Sequence, residues 1–193
     1  MITYDPKNKQ LLTESCKQCP EPYFTPQLTE IPRVGCCSYS PIYSLFDIHK
    51  MLQNGLEEFL IESIYNNSNH TINPYEIIIH ANVHPKFKEH ELTGKSKIQI
   101  EDIKINYSIC QFFQEKKGCT LDPLLKNYVC RSFICPTVED LLPKDLIAIV
   151  EEGTTSITKE VHQFNSLHKQ ILKERKLNFQ TDFTMTCDYL KSL

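Results

Sequence analysis

The chain has 193 residues, 40% of them hydrophobic, so it is long enough to bury a real core without disulfide staples. Its 21 Lys and Arg against 24 Asp and Glu give a formal net charge of −3, and the scattered cations exclude a basic nucleic-acid footprint. No stretch approaches the roughly 18 apolar residues of a membrane span, and "MITYDPKNKQ" lacks a basic region followed by an apolar one. The sequence therefore predicts a cytoplasmic protein with no membrane and no nucleic-acid partner. Three glycosylation-type tripeptides, at Asn66, Asn69 and Asn106, are read as chance occurrences in an Asn-rich chain.

Prolines at positions 6, 20, 22, 26, 32 and 41 keep the first forty residues extended or turning, which predicts a loop-like arm. From Ser44 to Asn66 the apolar residues Leu45, Ile48, Leu52, Leu56, Leu60 and Ile64 recur at helical spacing, with Gly55 placed to split the run into two helices. "YEIIIHANV" reads as a short β segment. "KIQIEDIKINY" alternates first at Ile98 and Ile100, then at Ile103, Ile105 and Tyr107, which predicts strand with a bulge or turn at Glu101 and Asp102.

After Pro136, Thr137 and Asp140 suggest a capped helix that closes at Gly153. A second helix from Thr155 to about Lys176 carries an apolar stripe of Ile157, Val161, Phe164, Leu167 and Ile171, more in keeping with core packing than with a coiled coil. The basic run "HKQILKERK" falls at its end, where cations suit the helix dipole. The fold class expected is α+β: mostly helical, with a small antiparallel β element and a cysteine-rich, metal-clamped loop region. Residues 1–153 would form the cysteine-cluster domain and residues 154–193 a helical extension packed on it.

Nine cysteines are many for a chain in a reducing compartment, where persistent disulfides are uncommon. Cys16 and Cys19 are spaced to grip one metal from a turn. Sixteen residues later come the adjacent Cys36 and Cys37, whose neighbouring side chains tend to point apart. After a further seventy-two residues come Cys110, Cys119, Cys130 and Cys135. Two groups of four thiols supply ligands for two four-coordinate sites, with zinc or an iron–sulfur cluster as the cofactor. Eight thiolates carry more negative charge than two divalent ions remove, which makes Lys17, Arg33, Lys116, Lys117 and Arg131 candidate donors toward sulfur. Cys187 stands apart and reads as a single thiol.

The segment "CTLDPLLKNYVCRSFIC", with "CQFF" before it and the upstream Cys-x2-Cys and Cys-Cys, resembles the CxxCxxCC cysteine-cluster family, the YkgJ-like proteins for which zinc and iron chelation are both proposed. The matching positions are Cys110, Phe112, Gly118, Cys119, Leu121, Cys130, Arg131, Phe133 and Cys135. The chain departs from the pattern at Lys126, Asn127 and Ile134, and in the sixteen residues between Cys19 and Cys36. The resemblance implies metal chelation without a fixed reaction. A related motif occurs in flagellin lysine-N-methylases, so an iron–sulfur redox protein or a protein-modifying enzyme is the alternative.

His80, His84 and His90 approach ligand spacing, but Pro85 opposes a shared helical face, so other roles are expected. His162 and His168 read as surface residues, and Glu57 with Glu58 and Glu151 with Glu152 as solvated faces. No P-loop, glycine-rich dinucleotide loop or Ser-His-Asp order is present, so no catalytic residue is assigned. A protein partner for the last helix is left open. A secreted disulfide protein is the third possibility, disfavoured by the odd number of cysteines.

Overall fold

The computed structural model of the protein describes residues 2–7, 10–13, 28–31, 34–134 and 136–193, the last segment without the side chains of residues 136 and 137. The predicted positions Cys16, Cys19, Cys135, Lys17 and Arg33, and the cap at Thr137, lie outside the described residues and side chains. Helix and small antiparallel sheets make up the fold, as the α+β expectation requires.

The start of the expected loop-like arm is instead a β-hairpin. Strands β1 (Ile2–Asp5) and β2 (Gln10–Thr13) pair antiparallel with Ile2 opposite Thr13. Pro6 falls in the turn, where a missing N–H removes no ladder bond. Ile2 and Leu11 are buried with Ile134, Val138 and Val150, so the hairpin owes its place to its apolar face.

Next comes a three-stranded antiparallel sheet in the order β3 (Ile42–Ser44), β5 (Glu76–Ile79), β4 (His70–Asn73). Tyr43 pairs with Ile77, and both are fully buried beside Ile79, while Ile42 on the opposite face is exposed. Helix α1 (Leu45–Gln53) packs Leu45, Ile48, Met51 and Leu52 into the same core. Gly55, at φ +70°, ends it in the left-handed conformation that glycine adopts without penalty. As the sequence suggested, the chain then resumes helix: α2 (Glu57–Phe59) widens into a π-helical turn at Leu60–Tyr65 that buries Leu60 and Ile64.

The expected strand at residues 97–107 is a helix, α3 (Lys97–Ile105). Ser96 Oγ accepts from Gln99 N at 3.3 Å, and Gln99 Oε1 accepts from Ser96 N at 2.9 Å, a reciprocal cap. None of its residues is buried and Ile98 is 75% exposed, so the isoleucine alternation answers to no core, and the local cap decides the element. Around it lie two two-stranded pairs: β6 (Asn82–Val83) with β7 (Ser108–Ile109), and β8 (Phe113–Gln114) with β9 (Gly118–Cys119).

Two short helices, α4 (Tyr128–Ser132) and α5 (Pro136–Glu139), lead into α6 (Lys144–Glu174), a continuous 31-residue helix. Gly153 does not close a helix as expected. It sits inside α6 because a Cβ there would meet the Tyr4 ring at 3.0 Å, so its lack of a side chain admits the hairpin. One helix thus joins three apolar clusters: Val150 in the first, Ile157 and Val161 with Phe46 in the second, and Leu172 in the main core. Leu167 leaves the predicted stripe and is 55% exposed. Two successive three-residue steps lag behind a 3.6-residue turn, and Leu172 takes the inward place. A last helix, α7 (Phe183–Lys191), opens on Asp182, whose carboxylate accepts from Met185 N at 3.1 Å, and buries Cys187 and Leu190 in the main core.

The link between core and cysteine region is a buried ion pair. Arg131 Nη2 donates to Asp47 Oδ1 at 3.0 Å, with the side chains only 4% and 0% exposed. Asp47 Oδ2 also accepts from Ser44 N at 3.0 Å and Ser44 Oγ at 2.7 Å, and Arg131 lies over the Phe46 ring at 5.6 Å. Burial pushes the Asp47 carboxyl above its usual range despite the opposing pull of Arg131. Arg131→Met should therefore cost about 3–5 kcal/mol, because it strands a buried carboxyl. Adding Asp47→Asn should return part of that loss in urea unfolding. A single variant as stable as the parent would show the pair to be incidental.

Candidate metal centre

Three separate chain segments deliver the described candidate thiols. Cys36 and Cys37 occupy a 3-10 turn, Gly35–Ser38, held by Cys37 N to Val34 O at 2.8 Å and Ser38 Oγ to Gly35 O at 2.8 Å. Cys110 N donates to Cys37 O at 2.6 Å, so main chain ties the first pair to the second segment across the long sequence gap. The hairpin of β8 and β9 then folds the chain back, with Phe113 opposite Cys119 and Thr120 N bonded to Phe112 O at 2.9 Å. Phe112 anchors this loop on the main core, its ring 6.0 Å from that of Phe59. Lys116 and Gly118 make the reversal with φ of +65° and +78°.

Cys130 arrives on α4. Asn127, 2% exposed, caps that helix by accepting from Cys130 N at 2.8 Å. Asn127 is therefore what seats this cysteine, and Asn three residues before it is a cap signal readable in the sequence. Arg131, next along, points to Asp47. Its described hydrogen bond goes to the carboxylate and not to the sulfur that the sequence suggested; among the described residues, Lys126 is a cation that acts on Cys36 and Cys130.

These thiols feel one another. The adjacent Cys37 thiol, and to a smaller extent Lys126, bring Cys36 down to about 7 against the opposing effect of burial. Cys37 is displaced far upward by the same neighbour, by burial and by the negative charge of Cys36, Cys110 and Cys119. Burial raises Cys110 to about 11, and the charges of Cys119 and Cys36 add to it. Cys130, although exposed at its surface, has its thiol raised to about 12, by desolvation first and then by Cys36, Cys110 and Cys119. Tyr43 is fully buried, its hydroxyl donating to Leu125 O at 3.2 Å; burial first, then Cys130 and Asp47, push that hydroxyl well above its usual range.

Five of the eight predicted ligand cysteines thus stand within electrostatic reach of one another. They are a gathering and not a finished coordination shell: among the described residues, no three His, Cys, Asp or Glu side chains form a group able to hold a metal ion. Cys187 lies elsewhere, buried in the main core and pushed up to about 12 by that burial. The histidines satisfy local partners. His80 Nε2 meets Thr71 Oγ1 at 2.8 Å, His84 Nδ1 accepts from Lys86 N at 3.3 Å, and His90 Nδ1 meets Tyr107 Oη at 3.1 Å. His168, expected at the surface, is part-buried and bonded through Nδ1 to Tyr189 Oη at 2.6 Å. Sequence spacing alone did not signal it, because its partner lies on α7.

No protein-family model, curated protein or solved structure matches the chain. Among the described residues, no helix is long and apolar enough to cross a membrane.

The thiols make a direct prediction for protein stripped of metal. Cys36 is exposed and its acidity is increased, so its iodoacetamide alkylation should reach half-maximal rate near pH 7 and level off by about pH 9. Cys37→Ala should move that midpoint upward, while Cys187 stays unreacted throughout. Peptide mapping by mass spectrometry reads both, and equal labelling of Cys36 and Cys187 at pH 7 would contradict the geometry.

Proposed function

We propose that the chain is a metal-binding protein of the cytoplasm that holds zinc or an iron–sulfur cluster through clustered cysteine thiolates. The observation that carries this reading is the convergence of Cys36, Cys37, Cys110, Cys119 and Cys130 from three distant segments, joined by the Cys110 N to Cys37 O bond. Apolar packing alone gives no reason for thiols to collect where they perturb one another's ionisation. Soft thiolate donors suit zinc and iron–sulfur centres, and Lys126 offsets part of their charge. Cys16, Cys19 and Cys135 complete the ligand set of this reading, and the resemblance to the CxxCxxCC family supports it on the same residues.

A bound metal supplies the charge that keeps several neighbouring sulfurs deprotonated together. The chain's own contribution is to bring them there: the Gly35–Ser38 turn, the β8–β9 hairpin and the Asn127 cap each fix one segment, and the core holds all three. A structural zinc contributes about 10 kcal/mol or more to a small site of this kind. The role is accordingly structural first, with the segments of Cys36 and Cys37, of Cys110 and Cys119, and of Cys130 clamped at the metal.

The pH dependence follows from the thiols. Cys110 and Cys130, near 11 and 12 without metal, carry protons at neutral pH that a metal must displace. Zinc addition to stripped protein should release protons, and acidification should weaken binding. In competition with a chromophoric chelator, Cys110→Ser and Cys119→Ser should each lose more than the roughly 10–100-fold that an outer-shell partner costs. Cys187→Ala should lose nothing. Zinc retention indifferent to Cys110 and Cys119, or binding without proton release, would end this reading.

A further inference from the structure

Beside the thiols lies a second feature that metal binding does not use. A cavity of about 600 Å³, open to solvent, is bounded on one side by residues 38–40, which continue directly from Cys37, and on another by Ser108, two residues before Cys110. Its volume falls in the range of small-molecule sites. The walls are fixed. Ala81 N donates to Ser40 Oγ at 2.9 Å, and Ser108 Oγ donates to Lys104 O at 2.7 Å. Gln111, adjacent to Cys110, donates through Nε2 to His80 O at 2.7 Å and Asn69 O at 3.2 Å, which holds that wall against the cysteine loop.

The chemistry of the lining is mixed in a particular way. Glu101 and Lys104 both face the cavity and pair with each other at 3.3 Å, with side chains 65% and 38% exposed. An ion pair this exposed is worth little, so a ligand that offers each charge a better partner separates it at small cost. Asn69 and His80 add polar groups to the lining, while Val83 and Ile105 add apolar ones against which a short side chain can rest. One positive and one negative group within a single small cavity, with apolar side chains also in its lining, match a molecule that carries both charges itself.

We propose that this cavity is a binding site for a small zwitterion of the amino-acid or dipeptide class, its carboxylate toward Lys104 and its ammonium toward Glu101. The site does not depend on the metal reading, because no thiol contributes to its lining.

The test is a nitrogen–proton correlation NMR titration of the full chain, with metal content recorded, using free L-amino acids and glycylglycine as probes. N-acetylglycine and glycinamide remove one charge each. Saturable shifts are expected at the amides of Asn69, His80, Lys104 and Ser108 for at least one zwitterionic probe, and the singly charged analogues should bind at least tenfold more weakly. Lys104→Ala and Glu101→Ala, both at the surface, should keep a dispersed spectrum and each lose at least tenfold. Absence of saturable shifts with every probe, shifts mapping to another face, or binding indifferent to either charge would overturn the proposal. Because the readout is the ligand and not the metal, a protein that binds no zinc could still pass, and one that binds zinc could still fail.

Discussion

A carboxylate taken out of water costs several kcal/mol unless a partner is fixed against it, and Asp47 finds its partner 84 residues along the chain in Arg131. Much of the architecture follows from keeping that pair together. Asp47 sits in the first turn of α1, where the helix dipole favours its charge and Ser44 supplies two donors. Arg131 sits one residue past Cys130, so the bond that neutralises Asp47 also sets the cysteine helix against the core. The neighbouring Thr154 Oγ1 to Ser132 O bond at 3.0 Å and Phe46 N to Asn165 Oδ1 bond at 2.9 Å tie α6 to both partners. The pair thus stands where the main core, the long helix and the thiol region meet.

Around it, the fold is a small set of elements strung on α6. The hairpin packs near the helix start through Ile2, Leu11 and Tyr4, and α1 with α7 packs near its end. Gly153 and Phe164 mark the two transitions, one by leaving room for a ring and the other by supplying one: Phe164 meets Phe46 edge-on at 5.4 Å and stacks on His49 at 4.8 Å.

The helical core was legible in the sequence wherever periodicity and burial agree. Ile48, Leu52, Leu60 and Ile64 recur at helical spacing and all are buried, and Gly55 stops α1 as a left-handed glycine should. The errors arise where one signal overrode another. Isoleucine alternation over residues 98–105 reads as strand, yet the Ser96 and Gln99 cap, also in the sequence, is what the backbone obeys. Gly153 reads as a helix end because its true reason, the Tyr4 ring, is more than a hundred residues away in the chain. For the candidate site, cysteine spacing picked out eight thiols, five of which lie within electrostatic reach of one another, although no three of the described side chains form a group able to hold a metal ion. What spacing could not supply is the direction of Arg131, which depends on a buried acid in a remote helix, or the part played by Lys126 and Asn127, which act through a cap and a charge at close range.

The central claim is that the converging thiols are metal ligands. Elemental analysis of anaerobically purified protein, taken with its absorption spectrum, tests that most directly. The account predicts zinc in near-integral ratio to protein in a colourless sample, or iron with matching sulfide and a visible charge-transfer band. Zinc and iron both at background in protein that is folded by circular dichroism would contradict it.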